Sequence, residues 1–252
     1  MRNILYTCLF LFCCFSMAGK VPSKQKIRLT ENWEYLKGDL GGIWEAVRPA
    51  SPGNPETVPV WQKVTLPHCF NAEDAVDPDV NYYQGPGWYK TLLTVDNPYA
   101  DGRIVLDFEG AGQKTKVYIY TTLVGEHVGG YDEWSVDITE AVNSFMADDQ
   151  LMKRFKGKIP LSVRCDNSRD LEMIPSDLSD FNLYGGLYRY LNLVYLPKAS
   201  FELIRLEPVL SADRKEGTVK VKASFYNPED IRKANVTVAI YDAEHKQIYS
   251  QT

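Results

Sequence analysis

The sequence predicts an all-β protein, an antiparallel β-sandwich or jelly roll followed by part of a second sandwich. Three observations carry this. Apolar residues recur at every second position in many short runs. Clusters of Gly, Pro, Asn and Asp separate those runs, as in "SPGNPE" (51–56), "NPYADG" (97–102) and "CDNSRD" (165–170). One stretch alone, Ile138 to Phe145, has helical spacing, opened by Thr139 as its cap with acids nearby. A chain of 252 residues with 44% hydrophobic content is long enough to enclose a substantial core.

In chain order, residues 1–18 read as a signal peptide. Arg2 gives the positive start, Ile4 to Phe15 the short apolar run, and Ser16-Met17-Ala18 the small-residue cleavage region. The run is too short for a stable membrane span. A periplasmic or secreted protein is therefore expected. Lipidation of Cys13 or Cys14 is the rival; it would make an outer-membrane lipoprotein, and membrane contact is expected only in that case. Past this segment, Ile104, Leu106 and Phe108 share one strand face, as do Trp134, Val136 and Ile138, then Leu161, Val163 and Cys165, then Leu191, Leu193 and Tyr195. A second unit starts after Pro197. Val219, Val221, Ala223 and Phe225 alternate with Lys220, Lys222 and Ser224, and Val236, Val238 and Ile240 repeat the pattern. Such clean alternation marks Ig-like sheets solvated on one side. An Ig-like domain needs about 100 residues and about seven strands. Residues 198–252 supply three or four, so this unit is expected to be truncated, with an open sheet edge.

Composition narrows the function. The net charge of −5, with no basic cluster, gives no reason to expect a nucleic-acid partner. Sixteen tyrosines and five tryptophans suit pleated surfaces, with stacking on sugar rings as the lesser alternative. Of five cysteines, Cys8, Cys13 and Cys14 precede the mature chain. Whether Cys69 and Cys165 pair is open at this point, although the alternation around Cys165 favours a buried free thiol. Three histidines and no C-x-x-C argue against zinc. "GAGQKT" (110–115) has Gln113 where a phosphate loop needs glycine. "DPDVN" (77–81) leads to Tyr82 and Trp88 where a calcium loop needs Gly and Glu. Asn235-Val236-Thr237 is a glycosylation sequon inside a strand-like run, and no G-x-S-x-G elbow occurs.

Four stretches in order give the sequence its affinity: "WQKVTLPHCFNAED" (61–74), "NYYQGPGWYKTLL" (81–93), "VLDFEGAGQKTKVYIYTTLVGEHVGGYDEWSVDIT" (105–139) and "SDFNLYGGLYRYLNLVYLP" (179–197). Together they resemble the N-terminal sugar-binding jelly roll of glycoside hydrolase family 2, the β-galactosidases, β-glucuronidases and β-mannosidases. The resemblance covers residues 28–197. It implies a jelly-roll (galactose-binding-like) domain at 25–197 and a truncated Ig-like domain at 198–252. One departure is the hairpin at Tyr120-Thr121-Thr122, where the family often has Asn-Gly. Gly129-Gly130 and Gly185-Gly186 read as bends, and Arg189 is expected to pair with a carboxylate or carbonyls inside the sandwich.

The resemblance also implies site residues. The acid opening "D-F-x-x-Y-G-G" is Asp180; in the family it reaches into the active site, contacts sugar hydroxyls and in some β-galactosidases helps hold sodium. Asp180 is thus the expected substrate contact and the expected ligand of sodium or another cation at the completed site. The other reading of Asp180 is a turn cap through the Asn182 or Leu183 amides. Asn182 is a second candidate on the same rim, and Gln84 a third, near a position where some β-galactosidases use asparagine. No catalytic residue and no required cofactor is assigned. The family's paired glutamates sit on a C-terminal TIM barrel. That barrel is the expected partner, with a terminal β-linked sugar as the ligand, and the chain alone is not expected to hydrolyse glycosides. A stand-alone carbohydrate-binding module and an adhesion protein with an Ig-like tail are the alternatives.

Overall fold

The computed structural model describes residues 25–49, 59–74, 76–77, 79, 81–174, 182–226 and 235–252. The signal peptide expected at 1–18, with its cysteines, lies outside them, and so does Asp180.

The expected sandwich forms from ten antiparallel strands in two sheets. One sheet runs in the order β3 (Gln62–Val64), β2 (Trp33–Lys37), β4 (Pro86–Leu93), β9 (Ile159–Asp166), β6 (Lys114–Ile119), β7 (Thr122–Val128). The other runs β1 (Gln25–Arg28), β10 (Leu191–Leu196), β5 (Arg103–Phe108), β8 (Trp134–Asp137). From β4 onward the chain changes sheet at nearly every step, which interleaves the two layers. The alternating residues explain why the sheets close on each other. Trp33, Tyr35, Tyr89, Leu161, Val163 and Cys165 of the larger sheet share one core with Ile104, Leu106, Phe108, Leu191, Leu193 and Tyr195 of the smaller. Each such side chain contributes about 1.5–3 kcal/mol on full burial. Cys165 is a free, fully buried thiol whose pKa burial pushes up to about 12, as its alternation indicates. Cys69 is free as well, so the two do not pair.

Three features differ from the sequence reading. Among the described residues there are three short helices rather than one: α1 (Trp44–Val47), α2 (Thr139–Met146) and α3 (Asp149–Arg154). Four and six residues are too few for α1 and α3 to show a periodicity. The cap of α2 is Ile138, not Thr139. The Thr139 hydroxyl instead accepts from the Ile104 N–H at 2.9 Å, which ties the helix to β5, while the Asp137 carboxylate takes the Thr139 N–H at 2.9 Å. Arg189 is exposed, and its Nη1 donates to the Glu109 carbonyl at 3.4 Å on the outside of the sandwich. The β6–β7 turn places Tyr120 at φ +54, the left-handed region that an Asn-Gly pair would occupy more easily.

Past the sandwich the described residues form two hairpins. β11 (Phe201–Leu210) pairs with β12 (Gly217–Phe225), and β13 (Val238–Tyr241) with β14 (Gln247–Gln251), each as its own two-stranded sheet. The sequon Asn235-Val236-Thr237 stands just before β13 rather than in it. Tyr226 packs on Val105, Val194 and Leu196 of the smaller sheet, with the Arg103 guanidinium 5.2 Å from its ring.

Candidate functional site

One end of the sandwich is tied together by two buried asparagines. Asn71 follows β3, and Asn167 directly follows β9; they are 1% and 0% exposed. The Asn71 amide donates to the Tyr83 carbonyl at 3.2 Å and the Leu183 carbonyl at 2.9 Å. Asn167 donates to the same two carbonyls, at 3.0 and 2.7 Å. Their oxygens take the remaining backbone donors: Asn71 accepts from the Gly185 N–H at 2.9 Å and Asn167 from the Gly85 N–H at 2.8 Å. Loops that cannot pair as strands must satisfy their backbone groups in some other way. Here two side chains do so for three segments at once.

Further contacts lock the same loops. The His68 N–H donates to the Leu187 carbonyl at 2.8 Å and the Phe70 N–H to the Gly185 carbonyl at 3.1 Å. Gly185 lies flat on Phe70: a Cβ there would stand 2.1 Å from Phe70 Cζ. Gly186 has φ +109, and a Cβ would meet the Tyr89 hydroxyl at 2.4 Å. The sequence reading of Gly185-Gly186 as a bend is therefore right, and close approach is an added reason for both glycines.

This scaffold brings two of the three expected site residues to one rim. Gln84 sits between Tyr83 and Gly85, whose carbonyl and N–H are both bound by Asn167. Asn182 directly precedes Leu183, whose carbonyl is bound by both asparagines. Gln84 and Asn182 are exposed. Their amides can donate to and accept from sugar hydroxyls. Asp180, and with it the expected cation, lies outside the described residues. Among the described residues no group of three His, Cys, Asp or Glu side chains is placed to hold a metal ion.

Tyrosines form a wall beside the rim. The rings of Tyr131 and Tyr188 are 6.2 Å apart, and the Tyr188 hydroxyl donates to the Gly130 carbonyl. Tyr131 and Tyr184 are exposed. Burial pushes the Tyr82 phenol up to about 12 and raises the Cys69 thiol, so neither is an anion near neutrality. Below them His68 Nδ1 and the Tyr89 hydroxyl share a hydrogen bond at 2.8 Å, and the same hydroxyl lies 3.2 Å from the His68 carbonyl. Burial lowers the His68 pKa.

Sequence reasoning missed Asn71 and Asn167. A signal existed: each stands two residues after a mature-chain cysteine, in "CFN" and "CDN". Asparagine there reads as a turn former, and only the folded loops reveal it as a clasp.

The model of the glycosyl hydrolases family 2 sugar binding domain matches residues 35–197, from β2 through β10 and every loop of the rim. The chain belongs to this family. A β-glucuronidase of Bacteroides fragilis is 28% identical over 190 residues, 73% of this chain and 23% of that protein. A β-galactosidase of Thermoanaerobacter pseudethanolicus is 30% identical over 160 residues, 63% of this chain and 19% of that one. Among solved structures, the β-glucuronidase of Parabacteroides merdae is 75% identical with a TM-score of 0.86, and β-glucuronidase 3 of Bacteroides uniformis is 57% identical with a TM-score of 0.82. Each match covers 90% of this chain and 29% of the solved one. The chain thus spans less than a third of the length of each of these relatives.

Proposed function

We propose that this chain is the sugar-binding part of an exported family 2 glycoside hydrolase that removes terminal β-linked glucuronic acid. In this reading the rim of Gln84 and Asn182, with Asp180, forms one wall of a pocket. The other wall is a catalytic barrel bearing the paired carboxylates, and residues 198–252 begin an Ig-like sandwich between the two. The observation that carries the sugar assignment is the 75% identity to the Parabacteroides merdae β-glucuronidase across 90% of the chain. The rim supports the division of labour, because its exposed amides are held by buried asparagines rather than left to flexible loops.

The experiment is an assay of the gene product carrying this segment with 4-nitrophenyl β-D-glucuronide and β-D-galactoside. Glucuronide is expected to be preferred by at least about tenfold in kcat/KM. Asn182→Ala should lower that value about fivefold, the worth of one hydrogen bond of about 1 kcal/mol. The 252-residue chain alone should give no turnover. Preference for the galactoside would reject the sugar assignment, and turnover by the chain alone would reject the division of labour.

A further inference from the structure

A cavity of about 440 Å³ opens on the larger sheet away from the rim. Ser162 on β9, which helps form it, is five residues from Asn167, roughly 17 Å at strand rise. Lys90 and Ser162 are Cα partners across β4 and β9 and form the floor, and Glu34 pairs with Lys90 from β2. Arg48, just past α1, and Lys158, between α3 and β9, stand at the sides, with Val47 and Phe155 as apolar lining.

The charge balance decides what such a cavity prefers. Three cations, Arg48, Lys90 and Lys158, line the cavity with one carboxylate, Glu34, in a chain whose net charge is −5. With Glu45, which pairs with Arg48, counted as well, the cations still exceed the carboxylates by one. Lys90 Nζ lies 3.4 Å from Glu34 and 4.0 Å from the centre of the Trp61 ring. Burial holds its pKa below the ordinary lysine value, so an anion would relieve a partly desolvated ammonium. Arg48 Nε is fixed on Glu45 at 2.6 Å. Ser162 is 1% exposed, and its Oγ has no hydrogen-bond partner among the described residues. A buried hydroxyl left without a partner costs about 1–3 kcal/mol. A ligand hydroxyl would remove that cost.

We propose that this cavity binds an anionic saccharide, a sugar unit carrying a carboxylate or a sulfate, at a site separate from the rim. The cations take the acidic group. Glu34 and Ser162 take hydroxyls, and Val47 and Phe155 face the C–H surface of the ring. A bare inorganic anion fits poorly, since it would leave most of the cavity empty and meet Glu34 without a proton to offer. The volume lies within the range of about 300–1,000 Å³ common for small-molecule sites.

The test is titration of the full chain, followed by amide resonances, with four probes: a hyaluronan tetrasaccharide, a chondroitin sulfate tetrasaccharide, cellotetraose and sodium sulfate. The two anionic tetrasaccharides separate carboxylate from sulfate recognition. At least one should bind saturably, shift the Thr91 and Ser162 resonances and weaken as salt is raised. Lys158 is exposed, so Lys158→Ala should fold normally and weaken binding about tenfold, the loss of one charged hydrogen bond. Asn182→Ala should leave this binding unchanged, which separates the site from the rim. The proposal is overturned if cellotetraose or sodium sulfate binds as tightly as both anionic tetrasaccharides, if neither of those binds, or if folded Lys158→Ala keeps full affinity.

Discussion

Asn167 shows how much a single buried amide can hold. It gives two donors to carbonyls that Asn71 also serves, and its oxygen is the acceptor for the Gly85 N–H. In Asn167→Ala the carbonyls keep Asn71, but the Gly85 N–H loses its partner inside the protein. Urea unfolding should show a loss of about 2–3 kcal/mol. Asn167→Asp should cost at least as much, because a buried carboxylate would face two carbonyls with no proton to give. A variant within experimental error of the parent would show the clasp to be dispensable. His68 gives a pH signature in the same region. Its folded pKa lies below the ordinary 6.5 because burial disfavours the cation. Between the lowered value and 6.5 the unfolded chain binds more protons than the folded one, so stability is complete above 6.5 and falls as the pH drops below it. Asp39, Glu109 and Asp170, with pKa values lowered from 3.8, 4.5 and 3.8, lose their contribution only in more acidic solution. The melting temperature should therefore fall between pH 6.5 and 5, and His68→Gln should flatten that interval. The sequence showed none of this. His68 has no local context that announces a half-buried ring, and whether an asparagine caps a turn or clasps three loops depends on segments far apart in the chain.

Strands and turns were the most legible part, for a physical reason. A strand half-buried against a core must alternate, and β6 does so at every position. β10 is buried throughout because it lies between β1 and β5 with both faces covered, so its "LNLVYL" shows a continuous apolar run interrupted by Asn192. That asparagine donates to the Asp107 carbonyl at 3.3 Å and the Glu109 carboxylate at 3.2 Å, while its Oδ1 has no partner among the described residues. α1 and α3 escaped notice, although Asp148 caps α3 by accepting from the Gln150 and Leu151 N–H groups. The glycine pair before β10 was legible as a bend but not as a packing surface, and that difference can be measured. Gly185→Ala places a methyl 2.1 Å from Phe70 Cζ, so Phe70 or the loop must move. The cost should be about 1–3 kcal/mol. Phe70→Leu alone should also destabilise, since the ring packs on Tyr35 and Tyr83. The double variant should be more stable than the sum of the two losses predicts, by at least about 0.5 kcal/mol. Strict additivity would mean that the clash is relieved somewhere other than at Phe70.

The change of pattern near Pro197 is matched by a change in how side chains are covered. In the sandwich the alternating residues meet an opposing sheet. In the hairpins, Leu206, Leu210 and Ile248 are 63%, 68% and 63% exposed. Apolar residues on β11 and β12 are therefore spaced for a core that the described residues do not provide, and exposed strands of this kind favour self-association. The sandwich has the opposite character: its core is continuous from Trp33 to Tyr195, and its size lies in the ordinary range for an independent domain. Tyr226 joins the two parts through Val105, Val194, Leu196 and Arg103. If the sandwich carries its own stability, a chain shortened to residues 25–197 should unfold cooperatively. Its stability should lie within about 1–2 kcal/mol of the parent, the worth of the partial burial of one tyrosine and its patch. The same shortening should reduce concentration-dependent association in sedimentation velocity. Loss of cooperative unfolding would show that the hairpins complete the sandwich core, and the two halves would then have to be treated as one folding unit.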